Sequence, residues 1–287
     1  MDGGTGTGLQ AMGVPMDGEA WGGVANLTHP DAVQRLHAAY LAAGAQILIT
    51  NTFATGPGPL AAAGYGARFA EANRNAAAAA MSARAEAGTD DVVVAGSMSR
   101  DVANGLAATG VPFDVSDDAA ALGDGYRRQA EILAAAGVDV IVLEMMGSRT
   151  HLEPAVAAAS ETGLPVWVGL SIARAAGGQA ETIDGEDALG LIESLPAGAI
   201  DAVFVMHSDV DEVPASLAAV RAVWPGTVGA YPHVGDWTPP NWVFREIAPA
   251  ELARRAHEWV AEGATIVGGC CGTGPEHIAA LTEAFVT

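Results

Sequence analysis

Short β-rich runs alternate with helix-forming stretches along almost the whole chain, and this alternation restricts the fold more than any other feature. Seven runs read as strands: 46–50 (QILIT), 91–95 (DVVVA), 139–143 (DVIVL), 165–170 (PVWVGL), 201–205 (DAVFV), 227–230 (TVGA) and 264–267 (ATIV). They are nearly all apolar, as parallel strands must be when helices cover both faces and neither meets water. Helices are expected over 29–43, 67–87, 116–137, 149–162, 186–195, 211–223, 249–262 and 275–285. Pro30 suits a first helical turn, with Val33, Leu36 and Tyr40 following at helical spacing. Ser116-Asp117-Asp118 offers a cap and an acidic first turn to another helix. The repeats predict an α/β fold, a single (β/α)8 TIM barrel domain over residues 1–287.

One strand is missing from that count. The helix over 29–43 needs a strand before it, which falls at the extreme N-terminus, immediately before Asp2-Gly3-Gly4. Either that strand is very short or the true start lies upstream. A dinucleotide-binding turn is rejected, because Gly3-Gly4-Thr5-Gly6-Thr7-Gly8 has no strand of normal length ahead of it. In barrels of this kind the chemistry gathers at the C-terminal ends of the strands. Those ends read Asn51-Thr52, Gly96-Ser97, Glu144, Ser171, His207, Tyr231-Pro232-His233 and Cys270-Cys271. A carboxylate, two imidazoles and two thiols at one rim are the makings of a metal site.

Composition removes other chemistries. All 13 basic residues are arginines, so mechanisms that need a Schiff-base or P-loop lysine are excluded. Against 34 acidic residues they leave a net charge of −21, which argues against nucleic-acid binding, since phosphates require clustered positive charge. No run of about 18 uncharged apolar residues suggests a membrane span. The first residues lack the basic and apolar regions of a signal peptide. The two cysteines are neighbours, so no disulfide framework is expected, and a reducing compartment, the cytoplasm, is the expected location.

The most informative stretch is Gly268-Gly269-Cys270-Cys271-Gly272-Thr273-Gly274-Pro275. Two thiols follow a strand between glycines that permit a tight bend, and the helix opening at Pro275 is expected to favour thiolate, the form that binds zinc. Together with Asp2-Gly3-Gly4-Thr5-Gly6-Thr7, His37-Ala38-Ala39-Tyr40, Ala43-Gly44-Ala45, Thr50-Asn51-Thr52-Phe53, Ala95-Gly96-Ser97, Glu144 and Tyr231-Pro232, this run resembles the homocysteine S-methyltransferase family. The resemblance covers essentially the whole chain.

It implies a Zn2+ ion held by three cysteines, with the sulfur of homocysteine in the fourth position as a thiolate. That thiolate attacks a methyl group on an onium or corrinoid donor, giving methionine. The family's first zinc cysteine follows the sixth strand; here Val205-Met206-His207-Ser208 puts His207 in its place, so the implied metal ligands are His207, Cys270 and Cys271. An imidazole in place of a thiolate leaves the site one unit more positive, which stabilises a bound thiolate but makes it less nucleophilic. Glu144 and Asp2 are implied to hold the substrate's amino group, and the Gly3 and Gly4 amides suit its carboxylate. Asn51 and Ser97 either contact substrate or satisfy loop backbone groups. His233 is a second candidate ligand, a proton relay, or a plain loop residue.

Four aromatic residues within 231–244 offer either an onium-binding cage or a loop packed on its own rings. Oligomers are common in the family. The competing functional readings are a different acceptor, or a non-catalytic homologue that binds a small thiol or amino acid.

Overall fold

The computed structural model describes residues 1–89, 91–100, 119–174, 178–234, 236–238, 241–243 and 247–285. All seven expected strands form: β1 (Ile47–Ile49), β2 (Val93–Ser99), β3 (Val140–Glu144), β4 (Val166–Leu170), β7 (Ala202–Asp209), β8 (Thr227–His233) and β11 (Ile266–Val267). They pair in parallel in the order β1-β2-β3-β4-β7-β8-β11. Helices Phe69–Ala87, Ala119–Ala135, Arg149–Ser160, Ala188–Glu193, Val213–Val223, Pro249–Ala261 and Pro275–Phe285 follow the strands in turn, and Pro30–Ala42 precedes β1. Pro30 and Pro249 stand at the first turns of their helices, where a missing N–H leaves no bond unmade. The cap expected at Ser116 lies outside the described residues.

Two small hairpins are additions to the expected pattern: β5 (Ile172–Arg174) with β6 (Ala180–Thr182), and β9 (Asp236–Thr238) with β10 (Asn241–Val243). Strands of three residues carry no usable periodicity, which is why the sequence does not announce them.

The expected eight-stranded barrel is not closed. The ladder is a curled sheet of seven strands with β1 and β11 at its edges. Only two residues span the gap. Met1 donates its terminal amine to Val267 O at 2.7 Å, while the Asp2 amide donates to Ile47 O at 2.9 Å and Asp2 O accepts from Gly269 N at 3.1 Å. The chain then turns at Gly3-Gly4 into the helix Thr5–Ala11.

Alternation along each strand separates two layers. On β7, Val203 and Val205 pack outward toward the helices, while Ala202, Phe204 and Met206 join the concave side with Tyr231, Trp167, Ile47, Ile49 and Ile266. Trp167, Phe204 and Tyr231 stack in sequence across this side, with ring centroids 5.3 and 5.6 Å apart. Phe204 and Tyr231 are fully buried, each contributing about 1.5–3 kcal/mol, and the half-buried Trp167 packs against them to complete a close-packed floor beneath the rim. On β3, Ile141 and Leu143 face the helices, which places Val140, Val142 and then Glu144 on the concave row. No described helix is long and apolar enough to cross a membrane.

Candidate metal centre

Simple alternation would turn His207 the wrong way. It falls on the same row as Val203 and Val205, which face the helices. The register of β7 against β8 shifts at this point: Met206 pairs with Tyr231 and Asp209 with His233, so His207 and Ser208 together oppose Pro232. A bulge re-aims the side chain that it carries. Pro232 has no N–H to give to a ladder, so this is the cheapest place on β8 to interrupt pairing. His207 takes φ +44, one of three described non-glycine residues in the left-handed region, a strain of about 1–3 kcal/mol that concentrates at functional sites. Ser171 Oγ helps hold the bulge by donating to His207 O at 2.7 Å.

As a result His207 Nδ1 lies 3.5 Å from Cys270 Sγ. The ligand atoms of His207, Cys270 and Cys271 all lie within 4.8 Å of one another, and among the described residues they form the one such group able to hold a metal ion. The cysteine turn is built from backbone bonds. Cys270 N donates to Pro232 O at 2.9 Å, Val234 N to Cys271 O at 3.1 Å, and Gly272 turns the chain at φ +85.

Both cysteines are half-buried free thiols. The Cys270 thiol is pushed well above its ordinary value, first by its hydrogen bond with Cys271, then by burial and the charge of Cys271, with His207 opposing. Burial and the neighbouring Cys271 thus oppose the thiolate that the helix at Pro275 was expected to favour at Cys270. Two adjacent thiolates need a cation between them, and the donor set, two sulfurs and an imidazole, fits a zinc ion.

Beside this group lie two buried carboxylates. Glu144 receives a hydrogen bond from Ser97 Oγ, and its carboxyl is raised above the ordinary value by burial, with Ser97, Tyr231 and His207 pulling it down. Asp2 Oδ2 accepts from Ile49 N at 2.8 Å, whereas its buried Oδ1 has no hydrogen-bond partner among the described residues. Burial pushes the Asp2 carboxyl up to about 8 from 3.8, helped by the charge of Glu144 and opposed by the Ile49 amide and the terminal ammonium.

A carboxyl raised on folding keeps a proton that the unfolded chain releases, so stability falls as pH rises through this window, by up to about 1.4 kcal/mol per unit. The ligand-free wild type and an Asp2→Asn variant are therefore expected to melt alike near the acid end of the window. The variant should become the more stable one toward pH 8, the raised value. Parallel melting curves across the window would contradict this account.

Other residues at the rim play supporting parts. Both amide hydrogens of Asn51 are committed, to Gly22 O and Asn26 Oδ1 at 2.9 Å each, so its side chain orders the segment that follows the first helix. Gly4 N donates to Thr273 O at 3.0 Å, which joins two loops instead of leaving the amide for a carboxylate. The His233 ring sits 4.4 Å from that of His207, centroid to centroid, but outside the group of three ligands. The side chains of 235–246, including those considered as an onium cage, lie outside the described residues. Tyr231 was legible only as part of a motif, yet its ring helps form the floor, and its hydroxyl is close enough to lower the Glu144 carboxyl.

A family profile described as homocysteine S-methyltransferase matches residues 1–285. The chain belongs to the homocysteine S-methyltransferase family. It is therefore a methyltransferase. Maize homocysteine S-methyltransferase 1 is 26% identical over 99% of this chain and 93% of the maize protein. Maize homocysteine S-methyltransferase 4 is 24% identical over 99% of this chain and 88% of that protein. Among solved structures, the oxidized form of the homocysteine methyltransferase MmuM from Escherichia coli has a TM-score of 0.81 at 24% identity, covering 98% of this chain and 94% of that one. Its metallated form gives 0.78 at 23% identity, covering 99% and 94%. The fold is therefore that of a known homocysteine methyltransferase.

Proposed function

We propose that this methyltransferase moves a methyl group from an onium or corrinoid donor to the sulfur of homocysteine, giving methionine, at a zinc site made by His207, Cys270 and Cys271. The observation that carries the reading is one juxtaposition. Three zinc-type donors within 4.8 Å of one another stand beside two buried carboxyl groups, Asp2 and Glu144, that burial raises above their ordinary values. The names of the maize relatives and the metallated form of the E. coli relative support it. In the same reading Met1 and Asp2 stand in for the eighth strand of a (β/α)8 barrel. Its free thiols suit a reducing compartment such as the cytoplasm.

His207, Cys270 and Cys271 would hold the zinc ion, and the chemistry it would supply is a lowered pKa for the acceptor thiol. The chain supplies orientation. Asp2 Oδ1 and Glu144 receive the α-ammonium of homocysteine, which satisfies two carboxylates that burial otherwise leaves uncompensated. The Gly3 amide, next in the chain after Asp2, is the donor proposed for the α-carboxylate. The packed rings of Trp167, Phe204 and Tyr231 form the apolar floor beneath the rim and leave water no approach to the reacting sulfur from that side. With an onium donor the sulfur attacks the methyl carbon in line. The new S–C bond forms as the bond to the onium centre breaks, and the electron pair leaves with the donor, which loses its positive charge.

Calorimetric titration of the zinc-loaded protein with homocysteine, in buffers of different ionisation enthalpy, tests this. Release of the thiol proton on binding is the expected result, and it should also be seen with 4-mercaptobutyrate, which has no ammonium to draw protons from Asp2 and Glu144. Binding with no proton release would leave a protein that holds an amino acid without activating it.

A further inference from the structure

We propose that Tyr40 is a positioning residue, one that fixes the distance between the cysteine turn and the carboxylates that receive the acceptor's amine; the inference rests on the function proposed above. Tyr40 lies near the end of the helix Pro30–Ala42 and is completely buried. Its hydroxyl is 3.2 Å from Gly4 O and 3.2 Å from Thr273 O, so one O–H is shared between two loops that are remote in sequence. Those loops carry the two halves of the site. Gly4 follows Asp2 by two residues. Thr273 braces the cysteine turn by donating its amide and its hydroxyl to Cys270 O, at 3.1 and 2.7 Å.

The fit is close. A Cβ on Gly3 would stand 3.0 Å from Tyr40 Cε1, 3.0 Å from its hydroxyl and 2.6 Å from Thr273 O, so the Asp2-Gly3-Gly4 turn is pressed flat against the ring. The phenol keeps its proton at any working pH, because burial, and after it the charges of Asp2, Glu276 and the cysteines, raise it well above 10.0. It therefore remains a donor, and the helix acts through it as a fixed post for both loops.

Homocysteine must place its sulfur at the cysteine turn and its ammonium at Asp2 and Glu144 simultaneously. A thiol without the ammonium meets only one of these demands. The backbone bonds Gly4 N to Thr273 O and Gly269 N to Asp2 O still join the loops when the shared hydrogen bond is lost, so the loops stay together but their spacing relaxes, which harms two-point attachment and spares one-point attachment.

The test compares wild type and Tyr40→Phe, both loaded with zinc, in calorimetric titrations with homocysteine and with 4-mercaptobutyrate, its des-amino analogue. Phenylalanine keeps the buried ring, and near-UV circular dichroism with zinc content confirms an intact fold and metal site. The expected result is homocysteine bound about tenfold more weakly, the effect of one buried hydrogen bond, with 4-mercaptobutyrate changed less than about twofold. Equal weakening of both thiols, or of neither, would overturn the positioning role. Should wild type itself show no preference for homocysteine over the analogue, the acceptor reading fails before Tyr40 is at issue.

Discussion

Replacing Cys271 with alanine is expected to remove metal binding and to slow methyl transfer by about a thousandfold or more. Two effects multiply. A free thiol of pKa about 8.5 is only about 3% thiolate at neutral pH, so losing the metal forfeits roughly thirtyfold in nucleophile alone. The sulfur also loses its fixed place opposite the donor, and misplacement of a reacting atom by about 1 Å is worth roughly a hundredfold. The fold should tolerate the change, because Cys271 is half-buried and alanine removes a single atom. Elemental analysis and kcat/KM for homocysteine check the prediction, and a variant that keeps even a tenth of the wild-type activity would show that the metal site is not the source of the thiolate.

Glu144→Gln is expected to raise the KM for homocysteine by about 30- to 100-fold and to change kcat by much less. A buried charge-assisted hydrogen bond is worth about 2–3 kcal/mol, and each 1.4 kcal/mol is about a factor of ten in affinity. Glutamine keeps an oxygen for the Ser97 hydroxyl and gives up the charge that the ammonium needs. Stability should not fall, since burial already disfavours the charged form of Glu144. A lowered kcat with unchanged KM would assign Glu144 a part in the methyl-transfer step instead of in holding the amine.

Much of this site can be read from residue order, and the parts that cannot have definite physical causes. Ser97 and Glu144 were legible because they stand at the ends of apolar runs, and period-two alternation puts them on the concave row. His207 was legible as a residue at a strand end, but not in its direction: by alternation it belongs with Val203 and Val205. What turns it inward is the bulge opposite Pro232, and a proline inside the run TVGAYPH was the signal for that bulge. The position of the expected eighth strand was read from the helix over 29–43, but not its reduction to Met1 and Asp2, which hold the two sheet edges by a few hydrogen bonds and have no pattern to detect.

Tyr40 reads as ordinary core at helical spacing, and only the approach of two distant carbonyls to its hydroxyl distinguishes it. The upward push on the Cys270 thiol was not legible for a related reason. The helix beginning at Pro275 is visible in the sequence, whereas the burial of Cys270 and its hydrogen bond to Cys271 depend on the folded turn. Asn51 illustrates the opposite case. Its position at a strand end left open substrate contact or a bond to loop backbone, and the fold commits its amide hydrogens to Gly22 and Asn26.

The central claim is that His207, re-aimed by a strained bulge, completes a metal centre with Cys270 and Cys271. The most direct measurement is the zinc content of wild type and His207→Ala, each reconstituted under reducing conditions and passed through a desalting column before elemental analysis. About one zinc per chain in the wild type, and a large loss in the variant, is the result expected of a three-donor site. Equal zinc in both proteins, or none in either, would contradict it.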